Sequence, residues 1–134
     1  MTAITKHLDI AAPLDKVWAA LTDTRSIEGW MGEGTVADLD LKVGGSYGWF
    51  GGDTTGRFTL IEKPNKLEYT WRQHAWPAAW ADSVVGWELK TKGQGTDVAL
   101  THDQFPNQDE RDSHAEGWDT YWLGPMKEWL EGRA

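Results

Sequence analysis

Four histidines carry most of the chemistry this chain can offer near neutral pH, and their positions separate them. Val98, Leu100 and His102 alternate with Asp97, Ala99 and Thr101, so His102 is expected on the inward face of a strand. An inward imidazole can orient a ligand or exchange a proton. The plainer reading is a core histidine satisfied by a neighbouring hydroxyl or carbonyl. His114 lies one helical turn before Trp118, facing inward near the mouth of any cavity that holds His102. His7 falls on the outward phase of the first strand and His74 in a loop. Two inward histidines with no carboxylate placed beside them do not make a metal site, and no catalytic set, metal or cofactor is expected.

The second group is aromatic. The 134 residues include ten tryptophans. Tyr47, Trp49, Tyr69, Trp71, Trp87, Trp118 and Trp122 all fall on inward phases. Together with His102 and His114 they are the expected lining of a small-molecule cavity, apolar with a few polar tips. Equally, they are large enough to fill such a cavity as core. Trp76 and Trp80 lie in a loop joining two strands. Exposed apolar area of that kind suggests a lid or a dimer contact, and the alternative is a loop folded back on the domain. Gly117 reads as a close approach of backbones, or else as room for a ligand. Arg57 and Arg72 fall on outward phases and are expected on an exposed face.

These residues need elements to position them. Residues 4–10 alternate as a strand, and Ala12-Pro13 opens a helix carrying Leu14, Val17, Trp18 and Leu21. A second short helix covers about residues 25–31 and ends near Gly32. The period then switches to two. Ala37, Leu39 and Leu41 are expected to share a strand face, and five further strands follow through Gly-rich turns, giving a six-strand antiparallel meander. Asn107 and Glu110 have capping-box spacing. From there Arg111, His114, Trp118, Tyr121, Trp122, Pro125 and Trp129 form one helical stripe, with a kink expected at Pro125. The fold class is therefore α+β, one domain over residues 1–134, with a curved antiparallel sheet wrapped around a long C-terminal helix.

Composition narrows the partners. The net charge of −8 disfavours nucleic acid. The absence of cysteine excludes a disulfide framework and thiolate chemistry and fits a cytoplasmic protein. There is no signal-like segment at the start and no apolar run long enough for membrane insertion. No P-loop, dinucleotide fingerprint or hydrolase elbow is present.

The order of elements resembles the helix-grip arrangement of the START-like (SRPBCC) superfamily, also called Bet v-type. More narrowly, the chain is similar to the branch described as activator of heat-shock protein 90 ATPase homologue-like. The matching pieces stand in order: Ala12-Pro13 with Val17-Trp18; Leu21-Thr22-Asp23, then Trp30-Met31; Val43-Gly44-Gly45; Gly56; Pro64 with residues 67–71; Gly95-Thr96; Leu100-Thr101-His102; Phe105-Pro106; and His114 with Gly117-Trp118. The resemblance implies a fold that hosts lipid carriers, hormone receptors and cyclases. In co-chaperones of this name a separate N-terminal domain contacts the chaperone, and 134 residues are expected to leave no room for one. Three functions are expected to compete. They are binding of a small hydrophobic or aromatic molecule, cyclase- or hydrolase-type catalysis through His102, and contact with a stress-related chaperone partner. A homodimer is compatible with any of them.

Overall fold

Seven antiparallel strands form a single curved sheet, and the C-terminal helix lies against it. The computed structural model describes residues 2–132. In chain order the elements are β1 (Ile4–Ile10), α1 (Leu14–Thr22), α2 (Thr24–Met31), β2 (Val36–Leu39), β3 (Ser46–Trp49), a 3-10 turn (Phe50–Gly52), β4 (Thr54–Glu62), β5 (Lys66–Gln73), β6 (Ser83–Lys92), β7 (Gly95–Asp103), α3 (Gln108–Gly117), a π-helical turn (Trp118–Leu123) and α4 (Gly124–Gly132). The strand order is β1-β7-β6-β5-β4-β3-β2. The meander therefore runs across the sheet, and β1 closes it beside β7, with Ile4 opposite His102.

The helix starts follow local chemistry. Pro13 precedes α1 in extended conformation. Asp23 caps α2, its carboxylate accepting from the Ser26 N–H, and Asn107 caps α3 by accepting from the Glu110 N–H at 2.9 Å. The inward phases expected for β3, β5, β6 and β7 hold in each strand, and their residues join one buried cluster with α1 and the C-terminal helix.

β2 departs from its expected phase. A register shift between Val36 and Asp38 puts Val36 and Leu39, rather than Ala37 and Leu39, against the core. Ala37 and Leu41 are exposed. The extra residue of such a bulge reverses the alternation, so a two-residue period cannot be carried through it.

Gly56 shapes the β4 side of the interior. A Cβ there would lie 1.9 Å from the Thr70 carbonyl oxygen and 2.5 Å from the Tyr47 ring. Only glycine leaves room for that ring, whose hydroxyl donates to the same Thr70 carbonyl at 2.6 Å.

The C-terminal helix also departs from its expected stripe. The Gly124 N–H bonds the Asp119 carbonyl, five residues back, so the turn ahead of Pro125 is wider than α. Pro125 has no N–H to give to the regular ladder, and the wide turn absorbs one residue in front of it. The inward positions consequently move on by one, from Pro125 and Trp129 to Met126 and Leu130, which are both buried. Trp129 is half-buried, with its ring over Gly29 of α2, and Tyr121 is 71% exposed. Among the described residues, no helix is long and apolar enough to cross a membrane.

Candidate functional site

His102 sits at the centre of the inner face with none of its surface exposed. The Ser83 hydroxyl donates to the Trp71 carbonyl at 2.9 Å, so its oxygen accepts from His102 Nε2 at 2.8 Å. The other ring nitrogen, Nδ1, accepts from the Trp118 indole N–H at 3.0 Å. Both nitrogens are thus engaged, and the ring is neutral in one tautomer. Burial, with a smaller contribution from His114, pushes its pKa from 6.5 down to about 2. An imidazole held in this way neither takes nor gives a proton near neutral pH. The acid–base role considered for His102 is replaced by the plainer one, a packed and hydrogen-bonded core histidine.

The aromatic residues around it close the deep interior. Trp122 packs against Trp118, Trp30, Trp71, Trp49 and Trp87, with ring centroids between 4.9 and 6.4 Å apart. Trp87 donates to the Tyr69 hydroxyl at 2.9 Å. Burial pushes the pKa of Tyr69 up, opposed by that bond, and pushes Tyr47 well above its usual range. Both phenols stay protonated and serve as hydrogen-bonding core. Trp49 is the exception: its indole nitrogen is the one buried side-chain polar atom among the described residues with no hydrogen-bond partner.

Space remains at one end. A cleft of about 670 Å³ lies between the C-terminal helix, α2 and the turn joining β3 to β4. Its floor is Trp71, Trp118 and Trp122. Trp30 and Met31 of α2 form one wall, and Phe50, Asp53 and Thr54 with Gln73 of β5 form the other. The helix contributes a graded edge, from Glu110, Ser113 and His114 to Gly117, Tyr121 and Pro125. Phe50 and Tyr121 at this rim are 53% and 71% exposed. Phe50 has φ of 53°, a left-handed conformation that non-glycine residues seldom adopt and that tends to mark functional positions.

His114 connects the cleft to the loop behind it. Its Nδ1 donates to the Glu110 carbonyl at 2.7 Å, and its Nε2 accepts from the Trp71 indole at 3.2 Å. The Glu110 carboxylate accepts from the Trp76 indole at 3.1 Å.

The model for the family described as Activator of Hsp90 ATPase homolog 1-like protein matches residues 11–131. The chain belongs to this family. An HSP90 activator from Plasmodium falciparum shares 26% of its sequence, covers 97% of this chain and 96% of its own, and superposes with a TM-score of 0.85. An Aha1 dimer from Colwellia psychrerythraea has the same fold, with a TM-score of 0.82 at 21% identity over 98% of this chain and 97% of that one. A Schizosaccharomyces pombe protein is 27% identical over 74 residues, which are 55% of this chain and 21% of the yeast protein. The match therefore spans about a fifth of that curated relative.

Within this Hsp90-activator-like fold, the expected cavity residues divide. Trp71, His114, Trp118 and Trp122 line the cleft. Tyr47, Trp49, Tyr69, Trp87 and His102 do not, because the indole of Trp122 and its neighbours fill the space they would have lined. The lid expected of Trp76 and Trp80 is also corrected. Trp76 is buried, Trp80 is half-buried and packs on it at 6.1 Å, and neither lines the cleft. Arg72, expected on an open face, is half-buried and clamps this loop by donating to the Trp80 and Pro77 carbonyls, each at 2.6 Å, and to Asp82. Gly117 approaches no backbone; a Cβ there would meet only the Tyr121 ring, at 4.0 Å. Sequence reasoning missed Trp30, Met31, Phe50, Thr54 and Gln73 as lining. Trp30-Met31 stood out only as part of the family pattern, and Phe50 only as a large apolar residue next to Gly51-Gly52.

Proposed function

We propose that this chain binds a small hydrophobic, aromatic molecule in the cleft between α2, the β3–β4 turn and the C-terminal helix. The carrying observation is an aromatic-walled opening of about 670 Å³ beside an interior that is otherwise packed. That volume lies within the usual range for drug-sized ligands. The acidic, cysteine-free sequence supports a cytoplasmic setting. The test is a thermal-shift screen of lipids, phenolics and polyketide-like compounds against the native chain and Gly117→Leu. Leucine suits a helix and would project into the cleft. Stabilisation of the native chain alone is the expected result. The same response from both, or none with any class, sinks the reading.

A second reading is contact with an Hsp90-type chaperone, favoured by the similarity to the plasmodial HSP90 activator across nearly the whole chain. It predicts faster ATP turnover by the chaperone when this chain is added. No acceleration at saturating concentration counts against it.

A further inference from the structure

We propose that the molecule taken up by the cleft is an organic cation, an amine carried on an aromatic or similarly apolar body; this rests on the cleft being the binding site. Two carboxylates, Asp53 and Glu110, line the cleft, and among the described residues no lysine or arginine does. The two differ in how they are held. One Glu110 oxygen accepts from Trp76 at 3.1 Å, and the other lies 3.9 Å from His114 Nδ1. That Nδ1 already gives its proton to the Glu110 carbonyl, so the second carboxylate oxygen keeps its capacity for an incoming donor.

Two of the donors an anion would want are committed elsewhere. The Trp71 N–H points to His114, and the Thr54 hydroxyl contacts the Gln73 side-chain oxygen at 3.3 Å. Both His114 ring nitrogens are engaged as well, Nδ1 with the Glu110 carbonyl and Nε2 with the Trp71 indole.

Polarity is also graded along the helix. Glu110 and Ser113 stand at one end of the cleft, and Trp122 and Pro125 at the other. The apolar end meets Trp30, whose ring packs edge-on to Trp122 at 5.5 Å. A molecule with a charged head and a flat body matches that gradient. The faces of electron-rich rings attract ammonium groups as well, most strongly where water is partly excluded. The net charge of −8 raises the local concentration of cations around the whole molecule.

The test uses three probes of one shape: naphthylethylamine, naphthylethanol and naphthylacetate. Each is titrated into the full chain at neutral pH by calorimetry. The amine is expected to bind about tenfold tighter than the alcohol, with the acid weakest. Combining Glu110→Gln with Asp53→Asn should bring the amine down to the level at which the alcohol binds the same variant. Glutamine keeps an oxygen for the Trp76 indole, and a melting curve checks the fold. Should that variant unfold, salt makes the same distinction in the native chain. The amine alone should weaken between about 0.01 M and about 1 M salt. An alcohol or acid that binds as tightly as the amine, yet is blocked by Gly117→Leu, overturns the cation and leaves the cleft standing. No binding by any probe, or binding that ignores Gly117→Leu, removes both.

Discussion

The indole N–H of Trp118 donates to Nδ1 of His102 at 3.0 Å, and that bond fixes the imidazole as a neutral acceptor in the middle of the core. The consequence is a pH dependence with a definite sign. The folded-state pKa is depressed from 6.5 to about 2, so below 6.5 the unfolded chain binds a proton that the folded chain does not. Stability from this group is complete above pH 6.5 and is lost progressively as pH falls toward 2. Between about pH 6.5 and about pH 5 the loss is roughly 2 kcal/mol. Urea unfolding at several pH values should show this slope in the native chain and a shallower one in His102→Gln. Parallel profiles would refute it.

Trp118 and Trp49 are both buried tryptophans, but only one has a partner for its N–H. Trp118→Phe leaves the His102 nitrogen without a donor, whereas Trp49→Phe removes an indole N–H that has no acceptor. The two lose the same volume, so the difference between them isolates the polar effect. Trp118→Phe should be the more destabilising by about 1–3 kcal/mol. Equal denaturation midpoints for the two variants would contradict this.

The sheet was legible from the chain because a two-residue period translates directly into an inside and an outside. Val98, Leu100 and His102 keep that phase without interruption, and so do Leu67, Tyr69 and Trp71. Phase reading failed where a residue is inserted: at the bulge between Val36 and Asp38, and at the π turn before Pro125. The candidate site was less legible for a different reason. Alternation gives the face on which Trp87 or Tyr69 lies, but not whether Trp122 leaves space in front of it. The walls of the cleft come from Trp30, Phe50, Thr54 and Gln73 among others, which meet only in three dimensions.

The π turn makes a prediction of its own. If it relieves the missing N–H of Pro125 and passes the inward phase to Met126, proline itself contributes little to packing. Pro125→Ala should change stability by less than about 1 kcal/mol. Met126→Ala, at a fully buried position, should cost about 2–5 kcal/mol. Equilibrium unfolding of both variants provides the comparison, and a larger loss from Pro125→Ala would overturn the phase assignment.

Arg72 ties down the loop that carries Trp76 and Trp80. Its guanidinium reaches two carbonyls and a carboxylate, a spread that one lysine ammonium does not reproduce. Hydrogen exchange across residues 76–82 should rise in Arg72→Ala, and Arg72→Lys should restore little of the protection. Full protection in the lysine variant would show that charge alone holds the loop.

Phe50 and Tyr121 flank the opening of the cleft, and both leave more than half of their surface to solvent. Truncating residues so exposed removes little core contact, so Phe50→Ala and Tyr121→Ala should leave the melting temperature almost unchanged. Alanine is no better suited than phenylalanine to a φ of 53°, so Phe50→Ala relieves no backbone strain there. If the cleft holds a ligand, the same two rings supply part of its apolar cover. Each full ring contact is worth about 1.5–3 kcal/mol by area. Partial cover at a rim should therefore give a severalfold loss of affinity for the naphthyl probes in each single variant, and a larger loss in the double variant. The measurement is a titration of native and variant chains with naphthylethanol, which carries no charge and so reads the apolar walls alone. Unchanged affinity in the double variant would mean that the probe sits elsewhere. A fall in affinity matched by a fall in melting temperature would mean that the rings hold the fold rather than the ligand.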